Sequence, residues 1–300
     1  AYDLDNNKIW FGRNGSWLDS GNPATGANSV YTLTSDTLYV PTCRTRGTGG
    51  TNASLNFGAR GFRYTPPTGF KPLCTTHLPD PTIANPESHF KSMIWTGDGT
   101  NDRSFSGLLF RPGFFWWKDR GATEDHTVAD VVRGVSASGT NYLWPNNNSS
   151  AADNDDRLET FTSDGFTFGP DTNDRINDDG ENYVTWILHA GDTASGANTN
   201  GSINIADGDQ FVNDTAGFSI TKYTGTGSDA TFGHGLSSKP HFLMCKCISV
   251  DTKDWTGQHV GATLGSGRLI LNEDYANDTT NADTYWNSTA PTNTLISIGD

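Results

Sequence analysis

Carboxylate and carboxamide side chains crowd two short stretches. Asp153, Asp155, Asp156 and Glu159 form one; Asp171, Asn173, Asp174, Asn177, Asp178, Asp179 and Glu181 form the other. Hard oxygen donors at near-alternate positions are the raw material of calcium loops, and Asp171, Asn173 and Asp178 are the candidate Ca²⁺ ligands. The EF-hand order is not met, because Gly180 misses the sixth place of such a loop, and solvated turn chemistry is the favoured reading with calcium as runner-up. Paired carboxylates also hydrolyse glycosides when held at a fixed separation, but acids strewn through Asn/Asp-rich loops fix none. No Gly-x-Ser-x-Gly elbow, phosphate loop or His-Glu-x-x-His helix occurs, and the seven histidines are scattered. The chain is therefore read as non-enzymatic, with no cofactor beyond that Ca²⁺ alternative.

Aromatic residues offer a second chemistry. Trp95-Thr96-Gly97-Asp98-Gly99 and Tyr223-Thr224-Gly225-Thr226-Gly227 could place Trp95 or Tyr223 face-on to a sugar ring, and Trp117 in Phe114-Phe115-Trp116-Trp117-Lys118 could do the same. The competing reading is architectural: a strand end followed by a glycine turn, and a strand buried on both faces. Repetition of the glycine motif favours architecture. Trp95, Trp117 and Tyr223 remain the candidate ligand-binding residues.

Cys43, Cys74, Cys245 and Cys247 make no zinc pattern, since paired spacings and matching histidines are missing. Buried or free thiols are expected, with a Cys43 to Cys74 disulfide as the alternative.

The elements that must position these groups are strands. Only five of 34 acids are Glu, Met occurs twice, and 34 Gly sit beside 16 Phe, 9 Tyr and 9 Trp, a composition poor in helix formers and rich in rigid burial. Runs bounded by Gly, Asn, Asp and Pro predict strands at residues 8–11, 37–40, 53–57, 92–95, 113–117, 165–168, 183–188, 218–223 and 241–247. Short helices are expected at 125–133 and within 252–261. A net charge of −14 repels phosphate backbones, so no nucleic-acid partner is expected. No window approaches the roughly 20 apolar residues of a membrane span, so no membrane insertion is expected.

Sliding the chain by 128 residues aligns Thr96-Gly97 with Thr224-Gly225, Gly99 with Gly227, Gly107-Leu108 with Gly235-Leu236, Pro112 with Pro240, Phe114 with Phe242 and Lys118 with Lys246. After a short drift, residues 165–169 face 295–299. The first copy goes on to the strand Tyr183–Leu188, for which the second has no counterpart within the sequence. A sheet edge left unpaired there, and a chain that is a section of something longer, are the expectations.

The opening stretch, Tyr2 to Trp17 with its Asn14-Gly15 turn, resembles the C-terminal half of a SPRY domain. Leu55-Asn56-Phe57-Gly58 and Phe62 to Phe70 look like its closing strands. That resemblance implies a concanavalin-like sandwich used for binding, here without its N-terminal half. Beyond Thr75 the two copies resemble modules of structural proteins of tailed bacteriophages, marine and cyanobacterial phages in particular. The expected architecture is all-β and multi-domain: a partial SPRY-like β-sandwich at 1–76 and homologous β-sandwich repeats at 77–195 and 196–300. The resemblance implies a virion-surface protein, a tail fibre, spike or capsid appendage that attaches to host-surface glycan. Its partners would be other virion proteins and further copies of itself, a trimer being common among fibres. A purely structural decoration or shaft, a secreted adhesin and a glycan depolymerase are the alternatives.

Overall fold

The computed structural model describes residues 1–35, 37, 39–40, 42, 54–77, 80–136, 139–153, 157–169, 171, 175–261, 267–274 and 285–299. The protein is all-β, built from antiparallel sheets, and divides into two compact units, Ala1–Pro81 and Thr82–Asp300.

In the first unit, β1 (Tyr2–Asp3), β2 (Lys8–Ile9) and β5 (Tyr31–Thr32) form one small sheet in the order β1-β2-β5, and β3 (Gly12–Arg13) pairs with β4 (Ser16–Trp17). The β3-β4 hairpin turns through Asn14 at φ 53° and Gly15 at φ 84°, the two positive values a tight primed turn demands and the reason Asn-Gly stands there. Trp10 is the buried anchor: its indole Nε1 donates to the Ala27 carbonyl at 2.8 Å and its ring meets Phe70 edge-on at 6.1 Å. Residues 54–57 are exposed and form no strand, nor do the described residues of 37–40, because no partner ladder reaches them.

The second unit opens with nine strands. These are β6 (Phe90–Thr96), β7 (Ser104–Phe105), β8 (Phe114–Asp119), β9 (Thr127–Asp130), β10 (Asn141–Tyr142), β11 (Ala152–Asp153), β12 (Leu158–Thr162), β13 (Gly165–Phe168) and β14 (Asn182–Leu188). The sheet β6-β14-β8-β9 packs on β12-β13-β7, with β10-β11 alongside. Inward side chains from both layers make one core: Trp95, Phe115, Trp117, Tyr183 and Ile187 from the first sheet, and Phe105, Leu158, Phe166 and Phe168 from the second. Most ring pairs in it are tilted or edge-on, the arrangements worth about 0.5–1.5 kcal/mol each beyond burial.

Seven more strands follow: β15 (Gln210–Asn213), β16 (Phe218–Thr221), β17 (Ala230–Gly233), β18 (Phe242–Cys245), β19 (Thr256–His259), β20 (Leu269–Ile270) and β21 (Leu295–Ile298). They form β15-β16, β17-β21 and β18-β19-β20.

The internal duplication is written into the strand register. In β8-β9, Phe114, Phe115, Trp116 and Trp117 face Asp130, Ala129, Val128 and Thr127; in β18-β19, Phe242, Leu243, Met244 and Cys245 face His259, Gln258, Gly257 and Thr256. The pair β13-β7, where Phe166 meets Phe105, returns as β21-β17, where Ile296 meets Phe232. Both repeats lie in the one unit, joined through Val132, Ala190 and Phe211.

This correspondence also corrects the two expected helices. Residues 125–133 and 252–261 carry the equivalent strands β9 and β19. Every residue of β9 is buried, and Val128 bridges to Leu143 on the side away from β8, so tertiary pairing on both edges overrides the local pattern.

Candidate functional site

The glycine motif of the first repeat is a clamp. Gly97 N–H donates to the Glu181 carbonyl at 2.8 Å, Gly180 N–H donates back to the Gly97 carbonyl at 3.1 Å, and Gly99 N–H donates to Asn177 O at 2.9 Å. A Cβ on Gly97 would collide with the Asp178 carbonyl oxygen, so glycine is a requirement of the docked loop. Trp95 is 7% exposed, stacks on Tyr183 and donates its indole N–H to the Ile176 carbonyl at 3.0 Å. Trp117 is 1% exposed and donates to the Arg175 carbonyl at 3.1 Å.

Tyr223 stacks on Phe232 at 4.6 Å and shares a hydrogen bond with Cys245 Sγ at 3.3 Å, with burial pushing its hydroxyl pKa well up. Trp95 and Trp117 have their faces taken up by the core, so as sugar platforms these two are corrected. Tyr223 is part-buried, with one ring face against Phe232.

The acidic loop serves the same clamp. Asp171 Oδ2 accepts the Ile176 and Asn177 N–H groups at 2.5 and 2.8 Å. Asp98 Oδ1 accepts from the Thr100 hydroxyl and N–H at 2.7 and 3.0 Å and from Asn177 Nδ2 at 2.9 Å, with Arg103 Nε 3.3 Å from its other oxygen. Those bonds, the Thr100 hydroxyl first, hold the Asp98 carboxyl down to about 2. Asp178 takes part through its backbone, its N–H donating to the Tyr183 hydroxyl at 3.0 Å. Asn173, Asp155 and Asp156 lie outside the described residues. Among the described residues no three His, Cys, Asp or Glu side chains gather as a metal set.

The opposite face of the same sheet carries aromatic side chains that stay accessible. Strand alternation that sends Phe115 and Trp117 inward sends Phe114, Trp116 and Lys118 outward, and likewise Trp186 on β14 and Phe90 and Ile94 on β6. In register, Ser92, Trp186 and Trp116 form one row, with Ile94, Val184 and Lys118 beside it. The two indoles are half-buried and meet at 6.1 Å and 76°. Trp116 Nε1 donates to His126 Nδ1 at 3.0 Å, and burial lowers the pKa of that imidazole. Ile94 is 71% exposed. Both faces of the Phe-Phe-Trp-Trp strand were expected to be buried; the outer one is not closed, and the signal for it was the same period-two alternation.

Residues 85–300 match the model of a family described as a domain of unknown function, DUF7483. The chain belongs to that family. No curated protein and no solved structure matches it. The DUF7483 region takes in β6 to β21 and the clamp of the first repeat. The lysine it repeats has one role in both copies: Lys118 Nζ donates to the carbonyls of Asp119 and Ala122, and Lys246 Nζ to those of Cys247 and Lys253, each ammonium closing the turn after its strand. Cys245 and Cys247 of the DUF7483 region are free thiols, as is Cys74 outside it; burial raises the pKa of Cys245.

Proposed function

We propose that the chain is a non-enzymatic structural protein of a tailed-bacteriophage particle, part of a tail fibre, spike or capsid appendage. Its residues 1–76 are then a partial SPRY-like sandwich. The face around Trp116 and Trp186 is where it meets host-surface glycan. The observation that carries this reading is the pair of adjacent indoles on the accessible side of a rigid four-stranded sheet, with the His126 and Lys118 polar groups at their border. Flat apolar rings beside polar groups suit the C–H face of a pyranose. The inward aromatics need no ligand to explain them, and Asp98 and Asp171 use their carboxylates to shape loops.

Exposure of Ile94 and Phe90 on the same face favours a second reading, in which a neighbouring subunit covers it and the role is purely structural. One experiment separates the two: the purified protein and its W116A/W186A variant are tested for binding to host envelope polysaccharide and for blocking phage adsorption. Binding and blocking by the parent alone support the glycan role. No binding, with concentration-dependent self-association abolished by Ile94→Asp, supports the structural one.

A further inference from the structure

Strands β6 to β10 and β13 of the first repeat correspond to β16 to β21 of the second, whereas β14 has no counterpart among the described residues. In the first, β14 lies between β6 and β8 and is antiparallel to both, Tyr183 facing Trp95 on one side and Asp119 on the other. The equivalents of β6 and β8 are β16 and β18, and among the described residues each is paired on one side only, with β15 and β19.

Hydrogen-bond parity shows that the open sides face one another. In repeat 1 the odd-numbered residues of the β6 segment turn their backbone groups to β14: Gly97 N–H donates to Glu181 O, and His89 O accepts from His189 N–H. In repeat 2, Lys222 N–H donates to Asp209 O at 2.8 Å, so the even-numbered residues of β16 face β15. Ser219, Thr221 and Tyr223 then turn their backbone groups the other way. Likewise His241 O accepts from Val260 N–H on the β19 side, which leaves the backbone of Phe242 and Met244 pointing to where β14 would run.

The side chains agree. Trp95, Phe115 and Trp117 under β14 are at most 7% exposed, whereas their counterparts Tyr223, Leu243 and Cys245 are only part-buried. Tyr223 and Cys245, one on each bank, meet at 3.3 Å and form the floor of the gap. Gly97 has no room for a Cβ because the loop before β14 docks on it; its counterpart Gly225 has nothing within 4 Å.

We propose that the gap between β16 and β18 is a strand-acceptor site. It takes an extended polypeptide segment of the β14 kind, antiparallel to both banks, with side chains like Tyr183, Thr185 and Ile187 alternating into the floor. The backbone ladder supplies affinity and the floor selects the side chains, the division of labour in β-augmentation. What covers the same floor in repeat 1 identifies the occupant as a polypeptide strand.

The test adds a synthetic peptide of the sequence Ile176–His189 to the 300-residue protein and follows binding by calorimetry and amide hydrogen exchange. Saturable one-to-one binding is expected, with slowed exchange at Ser219, Thr221, Tyr223, Phe242 and Met244, and none with a shuffled peptide. Gly225→Ala, in open space in the free protein, is expected to weaken binding about tenfold by blocking the loop. Equal binding of the shuffled peptide, binding without protection of those amides, or an unchanged affinity in Gly225→Ala would overturn the proposal. Protection of the same amides by dimerisation without peptide would assign the gap to a second copy and overturn it too.

Discussion

Trp95 lies flat on Tyr183, ring centroids 5.3 Å apart and planes at 15°, directly across the β6-β14 ladder. Tyr183 also holds the clamp loop, because its hydroxyl accepts the Asp178 N–H at 3.0 Å. One side chain thus joins the aromatic core to the loop that docks on the glycine motif. Tyr183→Ala is expected to cost about 3–5 kcal/mol through loss of the ring, and Tyr183→Phe about 1–3 kcal/mol through an unpaired N–H. Urea unfolding with an unchanged m-value measures both. A Phe variant as unstable as the Ala variant would mean that the hydroxyl, not the stacked ring, carries the stability.

The two glycine motifs are identical in type and unequal in surroundings. A methyl at Gly97 meets the Asp178 carbonyl, whereas one at Gly225 meets open space. Gly97→Ala is expected to lower stability by about 1–3 kcal/mol as overpacking does, and Gly225→Ala to stay within about 0.5 kcal/mol of the parent. Thermal melts of the two single variants check this side by side. Equal effects would refute the account of the clamp.

Adjacent tryptophans should behave oppositely. Trp117 is sealed in the core with its indole N–H on the Arg175 carbonyl, so Trp117→Ala is expected to cost about 3–5 kcal/mol. Trp116 stands on the accessible face, and its truncation removes one half-buried ring and the His126 bond, a loss of about 1–2 kcal/mol. Chemical denaturation of both variants ranks them, and the reverse order would contradict the assigned strand orientation.

The all-β class was legible because glycine turns separate short aromatic runs along the whole chain. What stayed hidden was set by pairing at long range. Residues 125–133 look helical locally, and the ladder to β8 and the bridge from Val128 to Leu143 make them a strand. Alternation placed Trp116 and Trp117 on opposite faces, yet which face a second sheet would cover depends on Phe105, Phe166 and Phe168, far away in sequence. Which acids shape a loop stayed hidden too, because hydrogen bonds from Thr100 and Asn177 to Asp98 cannot be foreseen from spacing.

Acid should loosen the second repeat through His234. Its ring is buried and neutral, Nδ1 accepting the Leu236 N–H at 3.2 Å and Nε2 facing the Thr292 carbonyl at 3.3 Å, and burial lowers its pKa below the usual value of about 6.5. Above that value the imidazole is neutral in both folded and unfolded chains and contributes nothing to pH dependence. As pH falls through it the unfolded chain takes up the proton first, so stability declines until the folded ring protonates as well. Asp98 acts in a separate window: its stabilisation is present above the ordinary carboxylate range and lost only as pH falls toward about 2. Melting temperatures compared between pH 7.5 and 5.5 therefore leave the carboxylates out and report the histidines together with the Ala1 amino group, whose pKa burial also lowers. His234→Gln, whose amide can both accept from Leu236 and donate to Thr292, is expected to show a shallower drop than the parent, with His126, also lowered by burial, supplying part of the remainder. An undiminished drop in that variant would show that His234 is not the group that titrates.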